Sequence, residues 1–201
     1  MNDSTNFKPR QGYVEQGVAT IHHFYISGPI ETPDKYIEWF QIMRQAGQMD
    51  AIYLHLNSGG GNAFTTVQFM RALNETNARV ITSAEGLVAS AATMLFLCGD
   101  QCEVSDHSAF MFHTFSSASF GKQHEMQAQV LLEKNWGTKL INQVYKNFLT
   151  EVEIEKLIDG KDFWMESDEV IKRLNKRKEL EEQEKATKPA TKRRTRKKKN
   201  V

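Results

Sequence analysis

Cysteine is almost absent from this chain of 201 residues, which has only Cys98 and Cys102. Two thiols do not make a disulfide scaffold or a four-ligand zinc site. Cys98 lies in an apolar run, so both read as structural thiols and no metal or other cofactor is expected. No apolar stretch approaches the length of a membrane span. The first thirty residues lack the basic-then-apolar order of a secretory signal. A cytoplasmic setting without membrane contact is therefore expected. Net charge is also nearly absent, with 26 Lys/Arg against 25 Asp/Glu. That balance hides a division. Residues 176–201 carry twelve Lys/Arg and four Glu, a net of +8, and residues 1–175 carry a net of −7. The chain pairs an acidic body with a basic tail.

About 40% of the chain is hydrophobic, enough for one sizeable core. Three segments follow: an irregular arm over 1–17, a folded domain over 18–175, and a tail over 176–201 that should be disordered. Val18–Ser27 reads as a strand stopped by Gly28-Pro29. Pro33–Ala46 carries Tyr36, Ile37, Phe40 and Met43 at helical spacing. Asp50–Leu56 alternates as a strand, and a helix marked by Phe64, Val67, Met70 and Leu73 follows. Arg79–Ser83 reads as a short strand interrupted by Gly86, and Val88–Cys98 as a buried helix. Ala109–Phe112 is a further strand. A long helix is expected over Gln123–Leu149, a short one over Glu151–Asp159, and a last amphipathic turn or two over Glu166–Leu174. Gly137 weakens the long helix by about 1 kcal/mol relative to alanine. Strand, glycine turn and helix in repeated order indicate an α/β fold around a parallel sheet.

Three features bear on chemistry. Asn57-Ser58-Gly59-Gly60-Gly61 joins a strand to a helix. Consecutive glycines let a backbone approach a ligand closely, and their N–H groups suit negative charge. No Gly-Lys-Ser/Thr follows, which argues against a nucleotide P-loop. An oxyanion hole or a plain tight turn are the other readings. Next, Ser90 is the single hydroxyl in Gly86-Leu87-Val88-Ala89-Ser90-Ala91-Ala92, with small neighbours that leave it open to a substrate backbone. Taken alone, it reads first as a serine that caps the helix or packs within it. Third, His113 ends a strand, and histidine is the usual base that activates a serine. Alone it would carry little weight beside His22, His23, His55, His107 and His124.

The joint order of these motifs, followed by Lys161-Asp162-Phe163-Trp164 and Glu169, resembles the proteolytic subunit of the ATP-dependent Clp protease. The family's Asn-Ser-Pro-Gly-Gly is matched by Asn57-Ser58-Gly59-Gly60-Gly61, and its Gly-x-Ala-Ala-Ser-Met by Gly86-Leu87-Val88-Ala89-Ser90-Ala91. Its Met-x-His is matched by Met111-Phe112-His113, and its Asp-x-Phe by Asp162-Phe163-Trp164. The resemblance covers about residues 18–174 and implies a Clp/crotonase-like β-β-α superhelix with a protruding handle helix, here Gln123–Leu149. It implies a serine endopeptidase with Ser90 as nucleophile, His113 as base and Asp162 as the group that orients the imidazole. The backbone N–H groups of Gly61 and Ala91 would bind the oxyanion. Gly60 and the segment Thr114–Lys122, with Thr114 and Phe115 first, would line a groove where a peptide pairs as an added strand.

The implied partners are further copies of the chain in a ring, heptameric and stacked in pairs, and a peptide or unfolded-protein substrate. The family's AAA+ unfoldase ATPase is a further candidate, although residues 1–17 offer no clear match for the axial-loop segment. Gly59 stands where the family has proline, and Ala91 where it has methionine. These departures and the basic tail suit a phage- or plasmid-encoded member, with a capsid-maturation protease as one alternative. The rival functions are an acyl-CoA-handling crotonase homologue and an inactive scaffold. Lys185–Val201 holds nine basic residues and no acidic one, which fits electrostatic attachment to nucleic acid or an acidic partner. No aromatic residue interleaves with them, so stacking on bases is not available.

Overall fold

The structure, a computed structural model, describes residues 19–116 and 120–187. The expected arm over 1–17 and residues 188–201 of the expected tail lie outside the described residues. The first strand, β1 (Ile21–Ser27), buries Phe24 and Ile26 and exposes Ile21 and Tyr25, the alternation a one-sided strand requires. Pro33–Tyr36 is a 3₁₀ turn that feeds α1 (Ile37–Gln45). Then come β2 (Ala51–Ser58), α2 (Ala63–Glu75) and β3 (Arg79–Ala89). The short α3 (Ala91–Phe96) precedes β4 (Gln101–Val104) and β5 (Ala109–Phe112). The chain continues through α4 (Gln123–Tyr145), α5 (Glu151–Ile158), β6 (Phe163–Glu166) and α6 (Ser167–Thr187).

The six strands form one sheet in the order β1-β2-β3-β5-β6, with β4 also paired to β3. All pairings are parallel except β5 with β6. The long strand β3 serves two neighbours in turn. Ile81–Ala84 pairs with β4, and Leu87–Ala89 pairs with β5. The sheet therefore turns a corner at Gly86, where a single short strand with a stop was expected. A Cβ on Gly86 would sit 2.7 Å from Asn57 Oδ1, and that oxygen accepts the Leu87 N–H at 3.1 Å. The glycine makes room for an asparagine that bridges the irregular step between β2 and β3.

Strand pairing takes residues that periodicity assigned to a helix. Val88 and Ala89 belong to β3, so the buried helix expected over Val88–Cys98 shrinks to Ala91–Phe96. The short strands β4 (Gln101–Val104) and β6 (Phe163–Glu166) were not anticipated: unlike the equally short, wholly apolar Ala109–Phe112, they mix polar and apolar residues. The final helix was expected to end near Leu174 but continues to Thr187, through twelve residues of the expected tail. Ion pairs one turn apart support it: Arg173 to Glu169 at 2.6 Å and Arg177 to Glu181 at 2.7 Å.

One face of the sheet carries the core, with Ile52, Leu54, Leu56, Phe69, Leu95 and Phe110 fully buried. Among the described residues, nothing covers the other face over β1 and β2. There Tyr25, His55 and Tyr53 stack in a row, and His23 lies 2.9 Å from His55. In α4 the buried residues are Gly137, Ile141, Val144 and Tyr145, so the stretch from Gln123 to Trp136 has no buried residue. Among the described residues, no helix is long and apolar enough to cross a membrane.

Candidate active site

Ser90 is the one residue between the end of β3 and the start of α3. It holds φ 56° and ψ −128°, a conformation a non-glycine residue enters at a cost of about 1–3 kcal/mol. Hydrogen bonds on both sides hold it there. Its N–H donates to the Met111 carbonyl at 2.8 Å, and its own carbonyl accepts from the Thr93 N–H at 3.0 Å and the Thr93 hydroxyl at 2.6 Å. The glycine turn nests against it. Gly60 has φ +97°, and a Cβ there would lie 2.7 Å from Ser90 Cβ and 3.0 Å from the Ala91 nitrogen. The consecutive glycines are thus explained at Gly60 by both left-handed backbone and close approach. Gly61 bridges to Ile30, and Asn62 caps α2 by accepting the Thr65 N–H at 3.0 Å.

Parallel pairing of β3 with β5 aligns Ala89 with Met111. It carries His113, the first residue beyond β5, to the nucleophile. His113 Nε2 lies 2.6 Å from Ser90 Oγ. With the serine hydroxyl as donor, Nε2 accepts and the ring proton sits on Nδ1. The antiparallel pair β5–β6 matches Phe112 with Phe163, so the next step of that register sets His113 opposite Asp162. Asp162 is exposed, and among the described residues no hydrogen bond joins its carboxylate to His113 within the single chain.

Ser90 opens on a pocket of about 260 Å³. Its floor is apolar. Trp136 of α4 stacks on Phe64 at 5.1 Å and meets Phe115 at 5.2 Å, and Met94 completes the wall. Gly61, Ala91 and Thr114 line the pocket beside Ser90, whereas Gly60 lies beneath the serine. Among the described residues, the N–H groups of Gly61 and Ala91 find no acceptor within the chain. Gly137, expected only to weaken α4, seats the Phe115 ring: a Cβ there would come within 2.6 Å of it. Residues 117–119 of the expected groove lie outside the described residues. A cleft of about 460 Å³ between α6 and the start of β4 is larger, but it holds no nucleophile–base pair.

The thiols do not compete for the chemistry. Burial pushes the Cys98 thiol up to about 12 and raises Cys102 as well, so both stay protonated and unreactive. Sequence reasoning missed Phe64, Trp136, Thr93 and Tyr145, since nothing local marks a residue that reaches a site from another element. The helical spacing that marks Phe64 indicates packing and carries no sign of a site.

The Clp protease family model matches residues 24–173. The chain belongs to the Clp protease family. The match runs from β1 to Arg173 in α6 and leaves the basic terminus outside it. No curated protein matches the chain. A Clp protease domain is a peptidase-type domain, and its mixed α/β sheet and helices are those described above.

Proposed function

We propose that this Clp protease is a serine endopeptidase that hydrolyses peptide bonds with Ser90 as nucleophile and His113 as general base. The observation that carries the reading is the 2.6 Å approach of His113 Nε2 to Ser90 Oγ, made by a serine held at φ 56°. Ser90 Oγ attacks the peptide carbonyl as its proton passes to Nε2. The resulting oxyanion is bound by the Gly61 and Ala91 N–H groups, and His113 returns the proton to the leaving amine. Water then repeats the sequence to release the acid. Asp162, one step beyond the Phe112–Phe163 pair and not bonded to His113 in the single chain, would orient the imidazole once assembly brings its carboxylate to Nδ1. An extended peptide lies along Thr114 and Phe115 and places one side chain in the apolar pocket. The Ser–His pair favours this reading over a crotonase-like one, whose chemistry has no need of it.

The active form is an oligomeric ring. Family members typically form rings, and here α4 presents Val130, Leu131 and Leu132 in succession, 56–64% exposed among the described residues. Such a run suits the handle through which rings pair. The test is a fluorophosphonate probe applied to the assembled protein. Wild type labels at Ser90, and Ser90→Ala does not. His113→Ala and Asp162→Asn label more slowly, by about 10³-fold or more for the histidine. Labelling that persists in Ser90→Ala, or is absent from assembled wild type, overturns the proposal.

A further inference from the structure

One buried polar chain behind the nucleophile has no part in the chemistry so far. Tyr145, the last residue of α4, is 0% exposed, and its ring packs edge-on to Phe112 at 5.5 Å. Its hydroxyl lies 2.7 Å from Thr93 Oγ1, and Thr93 is also fully buried. The Thr93 hydroxyl already donates its proton to the Ser90 carbonyl at 2.6 Å. A hydroxyl has one proton to give, so the Tyr145 hydroxyl must be the donor to Thr93. Burial raises the Tyr145 phenol above its ordinary value and keeps that proton in place.

The target of this relay is informative. The Ser90 carbonyl and the Ala91 N–H belong to one planar peptide unit. Fixing the oxygen therefore fixes the direction of the N–H on the opposite side. The preceding peptide is held independently through the Ser90 N–H and the Met111 carbonyl, at 2.8 Å. Two donors on the Ser90 carbonyl also polarise the amide and strengthen its N–H as a donor. Neither Thr93 nor Tyr145 lines the pocket beside Ser90.

We infer that Tyr145 and Thr93 are positioning residues: a hydroxyl relay from the end of α4 that holds the Ser90–Ala91 peptide plane and aims the Ala91 N–H at the developing oxyanion. The inference rests on the peptidase reading above. It adds that the placement of α4 sets the strength of the oxyanion site.

The test uses assembled full-length protein as wild type, Tyr145→Phe, Thr93→Val, the double variant and Thr93→Ser. Four quantities are measured: kcat per folded site and KM on a fluorogenic peptide, the rate of fluorophosphonate labelling, and the affinity of a capped peptide aldehyde. The aldehyde adds the Ser90 oxygen to its carbonyl carbon, and its hemiacetal oxygen occupies the oxyanion position. Tyr145→Phe and Thr93→Val should each lower kcat and labelling by about tenfold, less than the 10²–10³ lost when an oxyanion donor is removed outright. Aldehyde affinity should fall by a similar factor while KM stays within about twofold. The double variant should be no worse than Thr93→Val, because the two act as one unit. Thr93→Ser keeps the hydroxyl and should restore wild-type rates.

Wild-type kcat and labelling in Tyr145→Phe would overturn the relay and leave the peptidase reading intact. So would losses that follow only the fraction folded, with aldehyde affinity per site unchanged, or a failure of Thr93→Ser to restore activity. Wild type that never labels at Ser90 overturns both.

Discussion

Gly60 and Ser90 show how tightly the site is built at the scale of single residues. The φ +97° at Gly60 is costly for any residue with a side chain, and a Cβ there would press on Ser90 Cβ at 2.7 Å and on the Ala89 carbonyl at 2.8 Å. Gly60→Ala should therefore cost about 2 kcal/mol of stability and displace the nucleophile. A melting curve reads the first effect and loss of Ser90 labelling the second; a variant that is stable and labels normally contradicts the argument. The motif around Ser90 was legible as a small-residue run with one hydroxyl. Its strained backbone was not, because the strain is imposed by Met111 and Thr93 holding the two sides of the residue. The Ser–His partnership was proposed from motif order, and the contact depends on strand pairing that no local pattern encodes.

Among the elements, α6 departs most from its sequence pattern. Beyond Leu174 it reads as undifferentiated charge, yet Arg177 pairs with Glu181 one turn on. Arg173 also reaches across to Glu153 of α5 through two bonds of 2.8 Å each. This clamp holds the Glu153 carboxyl well below the usual carboxylate range, at about 2, chiefly through the Arg173 hydrogen bonds. A depressed folded value stabilises the protein above the ordinary carboxylate value of 4.5, and the contribution is lost as pH falls toward 2. Thermal melts between pH 5 and pH 2.5 should thus fall more steeply in wild type than in Glu153→Gln. Arg173→Ala should cost on the order of 2 kcal/mol at pH 7, because it strands a half-buried carboxylate. Equal melting temperatures in Arg173→Ala and wild type would show that the clamp contributes nothing.

Across the whole molecule, the unequal charge of body and terminus becomes a statement about assembly and attachment. A chain of 23.0 kDa with an exposed apolar run on α4 should migrate as a multiple of that mass under native conditions. Native mass spectrometry checks this, and a monomer at working concentration contradicts the ring. The family match stops at Arg173, and the last described residue of α6 is Thr187. Deleting residues 188–201 should therefore leave melting and Ser90 labelling unchanged. The same deletion should remove any binding to a DNA or RNA duplex, and that binding should weaken steeply with salt. Salt-independent binding, or binding that survives the deletion, refutes the electrostatic role.

The amino-acid sequence by itself determined the β-α order, the glycine turn, the serine among small residues, the histidine at a strand end and the separation of charge. These are local properties of composition and period, and they survive in any window of the chain. The tertiary structure decided where they meet. It let β3 run through Gly86, because Asn57 fills the gap a side chain would close. It brought His113 to Ser90 through the pairing of β5 with β3. It also turned Tyr145, one apolar position on a helix face, into the buried donor behind the nucleophile. Each of these depends on atoms twenty or more residues apart reaching hydrogen-bond distance, which packing alone settles.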